Sequence, residues 1–277
     1  MTYAEYSRID AVNWSSLKSI AVSPLQYWHD LRNPRDEAPH FRIGRAIHAH
    51  ILEPHTFKDH FWRHEGERRG KAWKAVKARA DAAGVCVLTA PEWAAAFGAA
   101  AAVLANPHAA ALLSRGLKEA VLTWTDAETG LPCKARVDHA GRSLIDLKSA
   151  ARINRNVFAA AAVRLGYPGQ FAFYEDGLRA NGIEPQDDPH MIVVQREMPH
   201  DVIVYRMPPE VVAFGREEYR RLLAKLKHCR KTNTWPGAAP DGPMDFVLPG
   251  WALPEDEGLL FDGETMESAA DSEGDAP

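Results

Sequence analysis

Cysteine is scarce in this chain. Cys86, Cys133 and Cys229 are the only three in 277 residues, they lie far apart, and no Cys-x-x-Cys pair occurs. That excludes a disulfide framework and a cysteine-held zinc or iron–sulfur cluster, and fits reduced thiols in a core. Long apolar runs are missing too: none approaches the roughly 18 to 20 residues that cross a bilayer, and the first residues are polar. Neither a transmembrane helix nor a signal peptide is expected, so the chain reads as cytoplasmic, with no membrane partner. No internal repeat is visible.

Basic residues are absent from the last 23 positions, which hold Glu255, Asp256, Glu257, Asp262, Glu264, Glu267, Asp271, Glu273 and Asp275. The rest of the chain carries all 33 Lys and Arg against 28 acids, which is 37 less those nine, so a formal charge of -4 conceals a body of +5. High charge and small polar residues predict a disordered, solvated tail over 255–277, with a partner-binding or DNA-mimicking arm as the other reading. With 46% of its residues hydrophobic, the chain can bury a sizeable core, expected as a single domain over 1–254.

Periodicity and punctuation divide that body. Ser23-Pro24 has the cap and first-turn residues of a helix that runs to Leu31, and a second helix follows from about Phe41. On it Ile43, Ile47 and Ile51 share one face, and Gly44 and His48 form the adjacent row. His48 therefore borders the buried side, as a hydrogen-bonded core histidine or as a ligand. Residues 62–80 are the densest basic stretch, with Trp62 and Trp73 interleaved, and its cations would line a helix beginning near Gly70. That face suits either solvent or a phosphate backbone. An Ala-rich helix, Pro91 to Leu104, looks structural. A three-stranded meander then occupies 119–149, and Glu119 stands where its first strand begins, as a surface acid or a group reaching inward. Helices are expected over 156–165 and 168–180, with Gly166 and Gly169 as the interruption, then a hairpin of 191–197 and 202–207, then a helix over 209–229.

The chemistry concentrates in Ser143-Leu144-Ile145-Asp146-Leu147-Lys148-Ser149. Residues two apart on a strand point the same way, so Asp146 and Lys148 share a face with Leu144, while Ile145 and Leu147 fill the other. An acid and an ammonium thus stand side by side on a strand that should be burying apolar groups. The preceding strand ends at Asp138, and His139 to Arg142 reads as a tight turn, so antiparallel pairing brings Asp138 near Asp146. Two close carboxylates repel unless a divalent cation lies between them, or unless Arg136, Lys134 or solvent satisfies them. Further on, Gln170 and Tyr174 are four apart on one helical face. They are either an amphipathic boundary or hydrogen-bonding partners for a phosphate or for Lys148.

Taken in order, Gly44-x-x-x-His48, Glu119, Asp138, Asp146-Leu147-Lys148 and Gln170-x-x-x-Tyr174 resemble the PD-(D/E)xK nuclease superfamily in its RecB-like branch. Within it the pattern is most similar to the RecE-type phage recombination exonucleases, also called exonuclease VIII. Other stretches that carry this likeness are Leu17-Lys18-Ser19 to Ser23-Pro24, Arg68-Arg69-Gly70-Lys71, Trp235-Pro236 and Leu248-Pro249-Gly250-Trp251-Ala252.

The resemblance implies an α/β, restriction-endonuclease-like fold with a central mixed sheet flanked by helices. It implies a metal-dependent exodeoxyribonuclease that degrades linear double-stranded DNA 5′ to 3′ and leaves 3′ overhangs for homologous recombination. Partners would be DNA ends, a RecT-type annealing protein and further copies of the chain in a ring. Asp138, Asp146 and the Leu147 carbonyl would hold Mg2+ or Mn2+, with His48 and Glu119 completing the site; the imidazole favours manganese. Lys148 would stabilise the transition state, Gln170 and Tyr174 would position the strand or Lys148, and Arg68, Arg69 and Lys71 would grip the backbone or a 5′ phosphate. An endonuclease or single-strand-specific nuclease of DNA repair, and a catalytically silent DNA-binding protein, are the alternatives.

Overall fold

The computed structural model describes residues 3–33 and 39–248. The acidic stretch 255–277 and the Trp251-Ala252 motif lie outside the described residues. In chain order the elements are α1 (Tyr3–Arg8), α2 (Trp14–Leu17), a 3-10 turn (Lys18–Ala21), α3 (Pro24–Arg32), α4 (Pro39–Leu52), α5 (Phe57–His60), β1 (Phe61–His64), α6 (Gly70–Ala83), β2 (Cys86–Thr89), α7 (Ala90–Ala105) and α8 (Pro107–Leu113). There follow β3 (Leu117–Thr125), β4 (Pro132–Ala140), β5 (Leu144–Ala150), α9 (Arg155–Arg164), α10 (Tyr167–Ala180), β6 (His190–Gln195), β7 (Val202–Arg206) and α11 (Pro209–Thr232). The chain divides into two units, Met1–Ala238 and Ala239–Pro277; of the second, residues 239–248 are a turn and irregular chain.

Five strands form one sheet in the order β3-β4-β5-β6-β7, antiparallel except for the parallel pair β5–β6, whose crossover carries α9 and α10. The sheet is therefore mixed, and each face is covered. Leu144, Met191 and Val193 meet Phe171 and Phe173 of α10 and Leu222 and Leu226 of α11 on one side. Ile145, Leu147, Ile192 and Val194 meet Ile47 and Ile51 of α4 and Ala99 and Val103 of α7 on the other. The alternation of β5 is the cause: burying each of its Leu and Ile side chains stabilises by about 1.5–3 kcal/mol, and a one-residue slip would reverse both faces.

Local rules set the helix ends. Ser23 Oγ accepts from the Gln26 amide at 3.0 Å to start α3, and Thr89 with Glu92 makes a capping box on α7. Three expectations need correcting. The β4–β5 turn is Gly141–Ser143, because His139 and Ala140 stay in the strand and pair with Ile145 and Leu144. Glu119 is the third residue of β3, not its start. Leu165 and Gly166 separate α9 from α10, while Gly169 lies inside α10, where a Cβ would come within 2.2 Å of the Trp14 ring. A parallel pair, β1–β2, was not expected at all.

The sheet's asymmetry creates the site. β4 pairs with β5 only at its C-terminal end; near its start the bond from the Val12 amide to Pro132 O, at 2.8 Å, and that from the Lys134 amide to Val12 O, at 2.7 Å, join it to the N-terminal segment. The two strands consequently part just past the His139–Ile145 pair, at Asp138 and Asp146.

Candidate active site

Where the ladder ends, the Asp138 carboxylate replaces a backbone acceptor: its Oδ2 takes the Leu147 N–H at 2.7 Å. Asp146, only 2% exposed, has Oδ2 at 2.6 Å from Lys148 Nζ. That oxygen faces the ammonium as an ion pair and accepts no well-aligned hydrogen bond. Gln170, on α10, ties the two charges together: its Oε1 accepts from Lys148 at 3.2 Å and its Nε2 donates to Asp146 Oδ1 at 2.9 Å. The same Nε2 donates to the Tyr174 hydroxyl at 3.1 Å. Every polar atom of the Gln170 side chain has a partner, which fixes the amide's orientation.

Helix α4 supplies the opposite wall. Gly44 lets it approach β5, since a Cβ there would stand 3.0 Å from Ser149 Oγ. One turn further on, His48 Nδ1 lies 3.6 Å from Asp138 Oδ2. Past the end of the helix Glu53 receives Arg136 at 3.1 Å, and Arg136 Nε reaches Glu119 Oε2 at 2.5 Å. Glu119 has a left-handed backbone, φ 50°, which costs a β-strand residue strain that neighbours must overcome. Ligand atoms of His48, Glu119 and Asp138 all lie within 4.8 Å of one another.

The charges are unevenly balanced. Burial pushes the Glu119 carboxyl up and the Asp138 charge adds to it, so that despite Arg136 and His48 it stands at about 7. Burial also raises Asp146, to about 6, with Lys148 opposing and Asp138 adding. Burial works against the Asp138 carboxylate too, but His48, Lys148 and the Leu147 amide outweigh it and hold its pKa low. The same pairing overcomes burial at His48 and raises its imidazole. Two carboxyls whose pKa values are raised beside a third that is held low are what a site short of positive charge looks like. An imidazole and carboxylate oxygens suit manganese or magnesium, so the residues fit a divalent cation.

The expected basic residues do not join this cluster. Arg68 donates to Val87 O at 3.1 Å, pairs with Glu92 and covers the Trp73 ring at 5.0 Å, while Glu92 also meets Arg42 at 3.5 Å. Arg69 pairs with Glu67, and Lys71 is exposed on α6 with Lys74, Lys77 and Arg79. Lys134, one candidate to satisfy the carboxylates, instead donates to the carbonyls of Tyr6, Ser7 and Ile9 at 3.0, 3.2 and 2.7 Å. Two neighbours of the site escaped the sequence reading. Glu53 had no local signal. Tyr167 did: it stands three residues before Gln170 and seven before Tyr174, on the same helical face.

A model of the PDDEXK-like domain of unknown function (DUF3799) matches residues 13–241. Comparison with curated protein sequences gives no match. Among solved structures the chain is similar to the one named "Putative exonuclease" from Eubacterium rectale, with a TM-score of 0.60 and 11% identity over 94% of this chain and 96% of that one. At that identity the likeness concerns the fold.

Proposed function

The chain belongs to the PDDEXK-like family, within the PD-(D/E)xK nuclease superfamily, and from that premise we propose that it is a metal-dependent exodeoxyribonuclease of the RecE type. It acts on linear double-stranded DNA from 5′ ends and leaves 3′ single strands for recombination. The observation that carries this reading is the parting of β4 and β5, which sets the cation-deficient cluster of His48, Glu119 and Asp138 beside Asp146 and Lys148. The exonuclease name of the similar structure supports the exo mode.

His48, Glu119 and Asp138 would hold the cation, with Asp146 and the Leu147 carbonyl as the further ligands. A divalent ion there supplies polarisation of a phosphate oxygen and a lower pKa for the attacking water. Lys148 offsets charge that grows on the phosphoryl oxygens, which is electrostatic stabilisation of the transition state. Gln170 keeps Lys148 and Asp146 in register, and Tyr174 anchors Gln170 by accepting its second N–H. Lys71 and the other exposed cations of α6 offer the DNA backbone a salt-sensitive surface. A RecT-type annealing protein and a homo-oligomeric ring complete the reading; a monomer that digests processively at micromolar concentration would remove the ring.

The test is digestion of an end-labelled linear duplex beside a covalently closed circle, with Mg2+, with Mn2+ and with chelator, for wild type and Lys148→Ala. Metal-dependent loss of linear DNA alone, absent in the variant, supports the reading, and release of the 5′ label first gives the polarity. Cutting of the circle moves the protein to the endonuclease class. No cleavage under either metal leaves a silent DNA-binding protein.

A further inference from the structure

Lys148 carries its charge on a stem of four rotatable carbons, and a solvated ammonium on such a stem samples many positions. A group that must meet one phosphoryl oxygen needs that freedom removed. Two polar contacts begin the task, Asp146 Oδ2 at 2.6 Å and Gln170 Oε1 at 3.2 Å. The third wall is aromatic: Nζ lies 4.8 Å from the centre of the Tyr167 ring, within the range of a cation–π contact. We propose that Tyr167 is a positioning residue whose ring face holds the Lys148 ammonium in place. This rests on the nuclease reading of the same site.

The chemistry of the wall explains why it is aromatic. An ammonium has three N–H donors and no acceptor. The two oxygens take up at most two donors. A third oxygen would engage the last one and leave Lys148 nothing for the substrate. The ring instead attracts the charge through its π face, keeps water off that side, and leaves the third donor for a phosphoryl oxygen.

The backbone is arranged to present this ring. Gly166 caps the start of α10 in the left-handed region, φ 74°, with the Trp14 ring 2.8 Å from where its Cβ would be. Tyr167 then opens α10 ahead of Pro168, and its ring meets that of Phe158 at 6.4 Å. The face 167/170/174 thus reads Tyr-x-x-Gln-x-x-x-Tyr, with all three side chains turned on the Asp146–Lys148 pair or its support.

The experiment compares Tyr167→Leu and Tyr167→Phe in the full chain on linear duplex DNA at saturating Mn2+. Leu should lower kcat roughly 3- to 30-fold, the worth of a desolvated cation–π contact, with KM changed less than about twofold. Phe, which keeps the ring and drops the hydroxyl, should recover most of the loss. A series of fluorinated phenylalanines at 167 keeps the shape while draining π density, and kcat should fall stepwise with fluorine number. Independently of turnover, NMR of metal-free protein labelled with 13Cε-lysine should show the Lys148 signal, assigned through Lys148→Arg, shifted upfield by the ring in wild type and Phe and released in Leu. Equal kcat in wild type and Leu, a Phe variant as slow as Leu, a flat fluorine series or an unmoved Lys148 signal would overturn the proposal. A wild type that cleaves no DNA would instead defeat the nuclease reading, and the NMR shift would still decide whether Tyr167 holds Lys148.

Discussion

The two walls of the cleft between β4 and β5 are built on opposite principles. On the α10 side Asp146, Lys148, Gln170 and Tyr174 form a closed network: one acid meets one base and a single amide bonds to three of its neighbours. On the α4 side Asp138, Glu119 and Glu53 share Arg136 and His48, the His48–Asp138 contact is a loose 3.6 Å, and Glu119 is held in a strained backbone. One wall is already satisfied and positions a charge. The other is under-compensated and suits the arrival of one. Such a division separates the group that must stay fixed from the groups that must accept a ligand.

Removing a charge from either wall should produce the largest effect. Asp138→Ala and Lys148→Ala should each lower hydrolysis at least about 10²- to 10³-fold while duplex binding stays within a few fold, because phosphate contacts carry most of the affinity. Parallel loss of binding and cleavage, read from gel shift and turnover, would show these residues to be structural and erase the contrast.

Next comes Gln170→Ala, which opens the closed wall. Loss of hydrogen bonds to charged partners should slow turnover by about 10- to 100-fold and weaken Mn2+ binding far less, since of the ligands only Asp146 touches Gln170. If calorimetry instead showed Mn2+ binding weakened as much as turnover, the walls would not be independent.

One raised carboxyl on each wall makes a pH prediction. Glu119 and Asp146 stand at about 7 and about 6, above their ordinary 4.5 and 3.8. Carboxyls with raised folded pKa values contribute stability that is full below about pH 4 and lost as pH rises through those folded values. In chelator these carboxyls should therefore pull the melting temperature down between roughly pH 5 and pH 8, against the opposite contribution of His50, His139 and His190, whose imidazoles burial holds low, and Mn2+ should relieve that pull most at the upper end. Glu119→Gln should flatten the fall. A Glu119→Gln variant that gains no melting temperature on wild type in chelator as pH rises over this window would have the wrong sign for an under-compensated site.

The smallest effect distinguishes cations inside the fold from cations on it. Arg68→Ala should lower thermal stability by about 1–2 kcal/mol, since it removes the donor to Val87 O and one of the partners of Glu92, which keeps Thr89 and Arg42, without changing the salt dependence of DNA binding. Lys71→Ala should do the reverse, reducing the log–log salt slope by about 0.9 for each lost phosphate contact. An unchanged slope would remove α6 from the DNA surface.

Much of the closed wall can be read from the chain. A period of two puts Asp146 and Lys148 on one face of β5, and a period near 3.6 puts Gln170 and Tyr174 on one face of α10; both follow from local geometry that no partner alters. Tyr167 obeys the same rule and was legible, had the pattern been extended one turn backward. The open wall was legible only in residue types. That Glu119 turns inward through a left-handed residue, that Arg136 and not Lys134 answers the carboxylates, and that Arg68 is taken by Glu92 all depend on segments far apart in sequence.

From the order of its residues this protein was committed to an acid and an ammonium two positions apart on one face of a strand, and to a glycine and a histidine one turn apart on a helix. Those features rest on dihedral preferences and repeat distances within single elements. Where β4 leaves β5, which carboxyls lose their counter-charges and which cations remain for DNA were settled by packing, because burial and charge pairing exist only once distant segments meet.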